Sequence, residues 1–207
     1  MHEFLPADLI WLERANEGLA SKGWFCGEGL IDSKFIDDIN LWIERQSAVG
    51  SFKSAGIGKG IRLQNNQKIR ADLTLWLDDD HDEDPLVAKL LNIVEAIRVS
   101  SNRHLFSALN NFEGHFAIYP PGGFYHRHID TFRDDDARSI TFILYLNEGW
   151  TSRDGGQLRL FTSGEQFVEI EPTAGTIVLF RSRDFEHEVL PAQAERRSFT
   201  GWFKTSF

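Results

Sequence analysis

Three side chains in the second half of the chain have the types and spacing to hold one divalent metal: His128, Asp130 and His187. Residues i and i+2 of a β-strand point to the same face, so His128 and Asp130 can reach one ion from a single strand. His187 comes from a later segment and closes the third corner. Two imidazoles and one carboxylate on one face of an ion leave the opposite positions open. That is the arrangement of non-haem Fe(II) centres that take a co-substrate and O2. A guanidinium follows in a strand-like run, where it can clamp a carboxylate at two points. Arg196 and Arg197 are both present there. They point to opposite faces, so only one can serve, and alternation alone leaves both open.

The HxD pair is a weak motif by itself. Its context is more specific: it follows the turn Pro120-Pro121-Gly122-Gly123, and His187 lies beyond a strand ending Val178-Leu179-Phe180. His126 alternates with His128 and Asp130, so period 2 puts all three on one face. An HxH pair with a later histidine is also how a non-catalytic cupin-like metal binder would be built, and Pro172-x-x-Gly175 fits its second motif. However, the glycine spacing before His126 and the lack of a suitable Glu after His128 do not fit a cupin, and that reading gives Arg196 no task. His126 is therefore placed behind the metal or on the substrate side.

These residues need a scaffold. From residue 112 onward short strands are expected at 113–119, 124–130, 139–147, 156–161, 166–171, 175–181 and 196–204, each bounded by Gly, Pro, Asp or Asn. That many short strands indicate a β-sandwich or barrel. The first half reads as helical. Pro6 opens a run with Leu9, Ile10, Leu12, Ala15 and Leu19 that stops near Gly23. Trp24-Phe25-Cys26 reads as a short strand. Asp32 or Ser33 can cap a second helix carrying Phe35, Ile36, Ile39, Trp42 and Ile43. Leu73–Leu77 reads as a strand and 78–84 as an acidic solvated loop. Pro85 opens a third helix that buries Leu86, Val87, Leu90, Leu91, Val94 and Ile97. Residues 50–68 are polar, Gly-rich and aperiodic, as expected of a functional cover or a surface loop.

Composition narrows the function. The chain has 207 residues, with 42% hydrophobic and 26% charged, ordinary for a globular protein. Its net charge of −9 argues against non-specific nucleic-acid binding, which needs a basic footprint. Cys26 is the only cysteine, so no internal disulfide is expected, which agrees with a reducing compartment. No signal-like amino terminus and no run of ~20 apolar residues is present. The expectation is one cytoplasmic domain over 1–207, monomeric or weakly dimeric, without nucleic acid or membrane.

The run Phe116-Ala117-Ile118-Tyr119-Pro120 through His128-Ile129-Asp130 resembles the 2-oxoglutarate- and Fe(II)-dependent prolyl hydroxylases, especially the oxygen-sensing type. So do Thr141 through Asn147, Gly155 through Phe161, Ile170-Glu171-Pro172, His187 through Ala192 and Arg196 through Trp202. Ile69-Arg70-Ala71-Asp72 is similar to the end of that family's mobile substrate loop. The resemblance covers roughly residues 60–204. It implies an α+β fold with a double-stranded β-helix (jelly-roll) core over 111–207, helical support over 1–110 and a lid at 50–72. His128, Asp130 and His187 match the iron ligands, and Arg196 matches the residue that binds the far carboxylate of 2-oxoglutarate. Tyr145 supports that carboxylate and Tyr119 lies near the iron-bound end. Leu158, Thr200 and Trp202 match pocket-lining positions, and Arg70 and Asp72 engage each other or the substrate. The implied activity is hydroxylation of a prolyl residue in a protein, with succinate and CO2 released and ascorbate as reductant. Compact bacterial-like members are associated with a translation elongation factor. A related oxygenase acting on a free amino acid or other small molecule is the alternative.

Overall fold

The computed structural model describes residues 6–56, 69–77, 84–131 and 137–205. Helix α1 spans Pro6–Ser21, strand β1 Trp24–Gly27 and helix α2 Ser33–Ala48. Strands β2 (Lys53–Ser54) and β3 (Leu73–Trp76) precede helix α3 (Pro85–Leu105). Then come β4 (Asn111–Tyr119), β5 (Tyr125–His128), β6 (Arg138–Tyr145), β7 (Leu158–Ser163) and β8 (Gln166–Ile170). The last three are β9 (Ile177–Arg181), β10 (His187–Val189) and β11 (Arg196–Lys204).

Two antiparallel sheets form. The larger runs β1-β9-β6-β11-β4-β3-β2 and the smaller β5-β10-β7-β8. Strands β4 to β11 thus divide four and four between the sheets, which is the expected jelly roll, and β1, β2 and β3 extend the larger sheet at its edges.

Alternation along the strands separates two cores. On β6, Ile140, Phe142 and Leu144 face the helices, while Thr141, Ile143 and Tyr145 face the smaller sheet. The helix-side core takes Phe35, Ile36, Ile39, Trp42 and Ile43 from α2, and Val87, Leu90, Val94 and Ile97 from α3. Burying each such side chain contributes roughly 1.5–3 kcal/mol. Asp32, not Ser33, caps α2, accepting from the Phe35 N–H at 3.2 Å. Asp84 caps α3 ahead of Pro85 and also accepts from the Trp42 indole at 2.9 Å, joining the two helices.

Most strand boundaries agree with the sequence pattern within a few residues. Three details differ. The carboxy-terminal expectation omitted β10, whose three residues are too short for periodicity to register. The aperiodic 50–68 stretch contains β2, paired to β3 through Lys53 and Thr74. Strand β5 stops at His128, so Asp130 sits on the bend that follows it. The middle of the expected lid, 57–68, and the acidic loop at 78–83 lie outside the described residues.

Buried Asn147 locks three segments together just past β6. Its amide nitrogen donates to the carbonyls of Pro172 at 2.7 Å and Arg197 at 3.0 Å, and its oxygen accepts from the Arg197 N–H at 2.6 Å. Asn147→Ala deletes all three bonds and leaves buried backbone groups unpaired. The expected loss is about 2–4 kcal/mol, read as a lower urea midpoint at unchanged slope.

Candidate active site

Strands β5 and β10 lie antiparallel with His128 and His187 directly opposite each other. Their ring centroids are 4.2 Å apart. The Asp130 carboxylate completes the group: Oδ1 lies 3.6 Å from His128 Nε2, and Oδ2 lies 3.6 Å from His187 Nε2. One ligand atom from each of the three residues falls within 4.8 Å of the others.

Both imidazoles are oriented from behind. His128 Nδ1 lies 2.7 Å from the His126 carbonyl, and His187 Nδ1 lies 3.3 Å from the Phe185 carbonyl. Each Nδ1 therefore donates a hydrogen bond two residues back, which turns Nε2 towards Asp130. Burial pushes the His187 imidazole down to about 4, so it is neutral at physiological pH. Burial alone would raise the Asp130 carboxyl, but the neighbouring imidazoles of His187 and His128 hold it well below the usual range. Two imidazole nitrogens and one carboxylate are a donor set that fits Fe(II).

The alternation argument fails at His126. Between its pairs with β10, strand β5 carries one residue more than its partner: His187 faces His128, but Val189 faces Tyr125. This bulge rotates the strand. Tyr125, not His126, joins His128 at the cavity, its ring stacked on the imidazole at 3.6 Å. The His126 side chain is exposed and packs on Phe124, so neither the metal-side nor the cupin arrangement forms.

The cavity lies between the sheets. Its lining includes His128, Asp130, His187, Arg196, Tyr119, Leu158, Thr200, Trp202 and Arg70 among the expected residues. Arg196 settles the choice left open by alternation. It is 2% exposed and points inward, whereas Arg197 faces outward to Glu195 and Glu44. The only hydrogen bond to the Arg196 guanidinium among the described residues is Nε to the Gly156 carbonyl at 2.9 Å. Gly156 has a φ of +67°, and a Cβ there would come 2.9 Å from Arg196 Cδ, so the approach needs glycine. Tyr119 and Tyr145 flank the guanidinium, each ring centre 5.0 Å from it. Burial pushes the Tyr145 phenol up to about 12 against the pull of nearby Arg196, and among the described residues no group lies within hydrogen-bonding geometry of its hydroxyl. Among the described residues this buried cation has no counter-ion and the hydroxyl beside it no partner, an arrangement unfavourable alone and suited to a carboxylate ligand. 2-Oxoglutarate fits it.

Arg70 and Asp72 engage each other. Asp72 is buried and accepts from Arg70 Nε at 2.7 Å and Nη2 at 2.5 Å. The guanidinium then covers the Tyr125 ring at 4.4 Å. Asp72 stands behind this pair rather than in the cavity wall.

Sequence reasoning missed several lining residues. His115 lies on the same face of β4 as Tyr119, four residues away, so period 2 could have found it. Its ring packs against Trp76 at 4.6 Å and Trp202 at 5.5 Å, and those two indoles lie 5.9 Å from each other. Arg138 donates to the Asp130 carbonyl at 3.2 Å and covers Trp202. Thr141 donates to Asp130 Oδ2 at 2.8 Å; no sequence signal marks it. Among the described residues, the buried side-chain polar atoms without partners are His115 Nδ1, Tyr145 hydroxyl and Trp202 Nε1; His115 and Trp202 line the cavity, and Tyr145, outside its lining, flanks Arg196.

Comparison with known proteins agrees with this geometry. The 2OG-Fe(II) oxygenase superfamily matches residues 114–204. A Pseudomonas putida prolyl-4-hydroxylase structure is 38% identical, covers 95% of this chain and 100% of its own, and has a TM-score of 0.85. A Trichoplax adhaerens prolyl hydroxylase, solved with a hypoxia inducible factor oxygen degradation domain peptide fragment, is 27% identical. It covers 96% of this chain and 91% of its own, with a TM-score of 0.86. Egl nine homolog 1 of Rattus norvegicus is 32% identical over 152 residues, 69% of this chain and 44% of that protein. The chain spans 37 to 60% of the length of the first curated relatives it matches. It belongs to the 2OG-Fe(II) oxygenase superfamily, among the prolyl hydroxylases. That family uses Fe(II), 2-oxoglutarate and O2. No helix among the described residues is long and apolar enough to cross a membrane.

His115 offers a test of the cavity's polarity. Burial, with the Arg70 charge adding, pushes its imidazole from 6.5 down to about 3. Between those values the unfolded chain binds more protons than the folded one. The stability that neutral His115 contributes is therefore complete above pH 6.5 and is lost as pH falls towards 3. His115→Gln is expected to flatten the fall in unfolding free energy below pH 6.5 by up to about 1.4 kcal/mol per pH unit. Urea melts of both proteins over that range check it; parallel slopes would show that His115 titrates freely.

Proposed function

We propose that this chain uses Fe(II), 2-oxoglutarate and O2 to hydroxylate a prolyl residue in a protein substrate, releasing succinate and CO2. The observation that carries the co-substrate assignment is Arg196: a buried, uncompensated cation lining the same cavity as His128, Asp130 and His187. A cupin-like metal binder has no use for such a group. The prolyl assignment is supported by the Pseudomonas and Trichoplax relatives, the latter solved with a peptide.

Bound iron supplies the coupling of 2-oxoglutarate decarboxylation to hydroxylation by O2. The protein's part is placement and charge. His128, Asp130 and His187 would hold the ion from one side, and the single carboxylate offsets part of its charge. Arg196 donates to the far carboxylate of 2-oxoglutarate, and the Tyr145 hydroxyl donates to it as well. Tyr119 and Leu158 flank the co-substrate, and Thr200 and Trp202 line the side nearer Asp130. At the mouth, Arg70 held by Asp72 fixes Tyr125. Trp76, 46% exposed, offers a ring to a peptide. Gly56 also lines the cavity and accepts from Arg70 Nη1 at 3.5 Å. This supports the 50–72 segment as a cover that excludes water during turnover.

The deciding experiment treats host lysate with the purified protein, Fe(II), 2-oxoglutarate and ascorbate, with His187→Ala as control. A one-oxygen mass gain on a proline, absent with the variant, is expected and names the target. Consumption of 2-oxoglutarate without oxygen gain on any protein would transfer the reading to a small-molecule substrate. Arg196→Ala removes charge-assisted bonds worth about 1.5–3 kcal/mol each. Its 2-oxoglutarate dissociation constant is expected to rise more than about 100-fold while metal affinity holds. Equal 2-oxoglutarate affinity in the variant would overturn the carboxylate role.

A further inference from the structure

Asp130 is the metal-side residue with the weakest backbone support. It follows β5 on a bend rather than in a ladder. The described contact to its carbonyl is the Arg138 guanidinium at 3.2 Å. Its carboxylate is nevertheless fixed. Oδ2 accepts from Thr141 Oγ1 at 2.8 Å, and Thr141 Oγ1 lies 2.9 Å from Ser182 Oγ. Both hydroxyl residues are fully buried. A hydroxyl has one proton, and that of Thr141 goes to the carboxylate, so Ser182 must donate to Thr141. The direction of the chain is therefore set: Ser182 to Thr141 to Asp130.

The two hydroxyls sit on rigid ground. Thr141 lies within β6, paired with Phe180 of β9 on one side and Trp202 of β11 on the other. Ser182 follows β9 directly, and its N–H donates to the Ser139 carbonyl at 3.1 Å. The chain thus ties a loop-borne carboxylate to the middle of the larger sheet, while the two histidines come from the smaller one. Partners behind a metal ligand commonly govern its orientation and the site's affinity.

We propose that Thr141 and Ser182 are positioning residues that hold the Asp130 carboxylate in its metal-binding orientation from the larger sheet. This rests on the reading of His128, Asp130 and His187 as the metal ligands. A merely structural role, in which the hydroxyls only satisfy buried polar groups, would lower stability and leave metal affinity unchanged.

The test is the Mn(II) dissociation constant of the full chain by calorimetry, without 2-oxoglutarate, beside thermal melts of the metal-free proteins. Thr141→Val keeps the shape and removes the hydroxyl; its dissociation constant is expected to rise about 10- to 100-fold. Ser182→Ala is expected to rise by a smaller factor, about 2- to 10-fold. Thr141→Ser, which retains the donor, should stay close to wild type. Thr141→Val or Ser182→Ala binding Mn(II) as tightly as wild type, whatever their melting temperatures, overturns the proposal. If Thr141→Val does not fold, Ser182→Ala against Thr141→Ser decides it. Failure of the wild-type chain to bind Mn(II) would instead overturn the ligand assignment, and the positioning role with it.

Discussion

The register that sets His187 opposite His128 is the constraint on which the site depends. A shift of one residue in either strand would turn one imidazole away from the cavity. The bulge beside this pair makes the register possible without sacrificing Tyr125, which stacks on the His128 ring and is itself covered by Arg70. Arg70 in turn keeps its position through buried Asp72. A single cross-strand pair thus connects the metal group to the cavity mouth through stacked rings and one ion pair. Removing either partner of that buried pair would leave an uncompensated charge, so the mouth is tied to the fold's stability as well as to its function.

Two buried charges of opposite sign line the cavity, and the fold treats them differently. Asp130 is anionic, fixed by a hydroxyl and flanked by imidazoles. Arg196 is cationic and, among the described residues, has a backbone carbonyl but no carboxylate. The contrast with Arg197 shows that this is not a shortage of acidic residues: one position later, the side chain reaches Glu195 and Glu44 on the outside. Alternation on β11 sends one guanidinium to carboxylate partners outside and the other inward, to one carbonyl and two tyrosine rings. Such a group is maintained against its own desolvation by the packing around it, and it gains most from a ligand that brings a carboxylate.

Much of this was legible in the sequence because period-2 patterns are strong in β4, β6, β9 and β11, whose apolar residues alternate between two cores. The metal residues were legible because few side-chain sets of that chemistry occur together. Other features were not. Strand β10 has three residues, too few to show a period. The bulge in β5 inserts one residue without any local signature, so His126 was expected inward and Tyr125 was overlooked. Thr141 and Ser182 are small hydroxyl residues whose role arises from distance across 41 positions of sequence. Alternation alone could not choose Arg196 over Arg197; the family resemblance chose Arg196, and the structure turns that side chain inward.

The unpaired polar atoms complete the argument. Folded proteins satisfy nearly all buried donors and acceptors, so exceptions call for a physical reason. Among the described residues the exceptions belong to His115, Tyr145 and Trp202, on three adjacent strands; two line the cavity and the third flanks Arg196. Elsewhere the fold satisfies its buried polar side chains, as Asn147 just past β6 does with three bonds. A sequence able to build that lock has no general difficulty pairing polar groups. Unpaired atoms gathered around the cavity and its buried arginine, opposite a metal-ready triad, are therefore a local cost offset by the rest of the fold. They are hydrogen-bonding capacity held ready for groups that the chain itself does not supply.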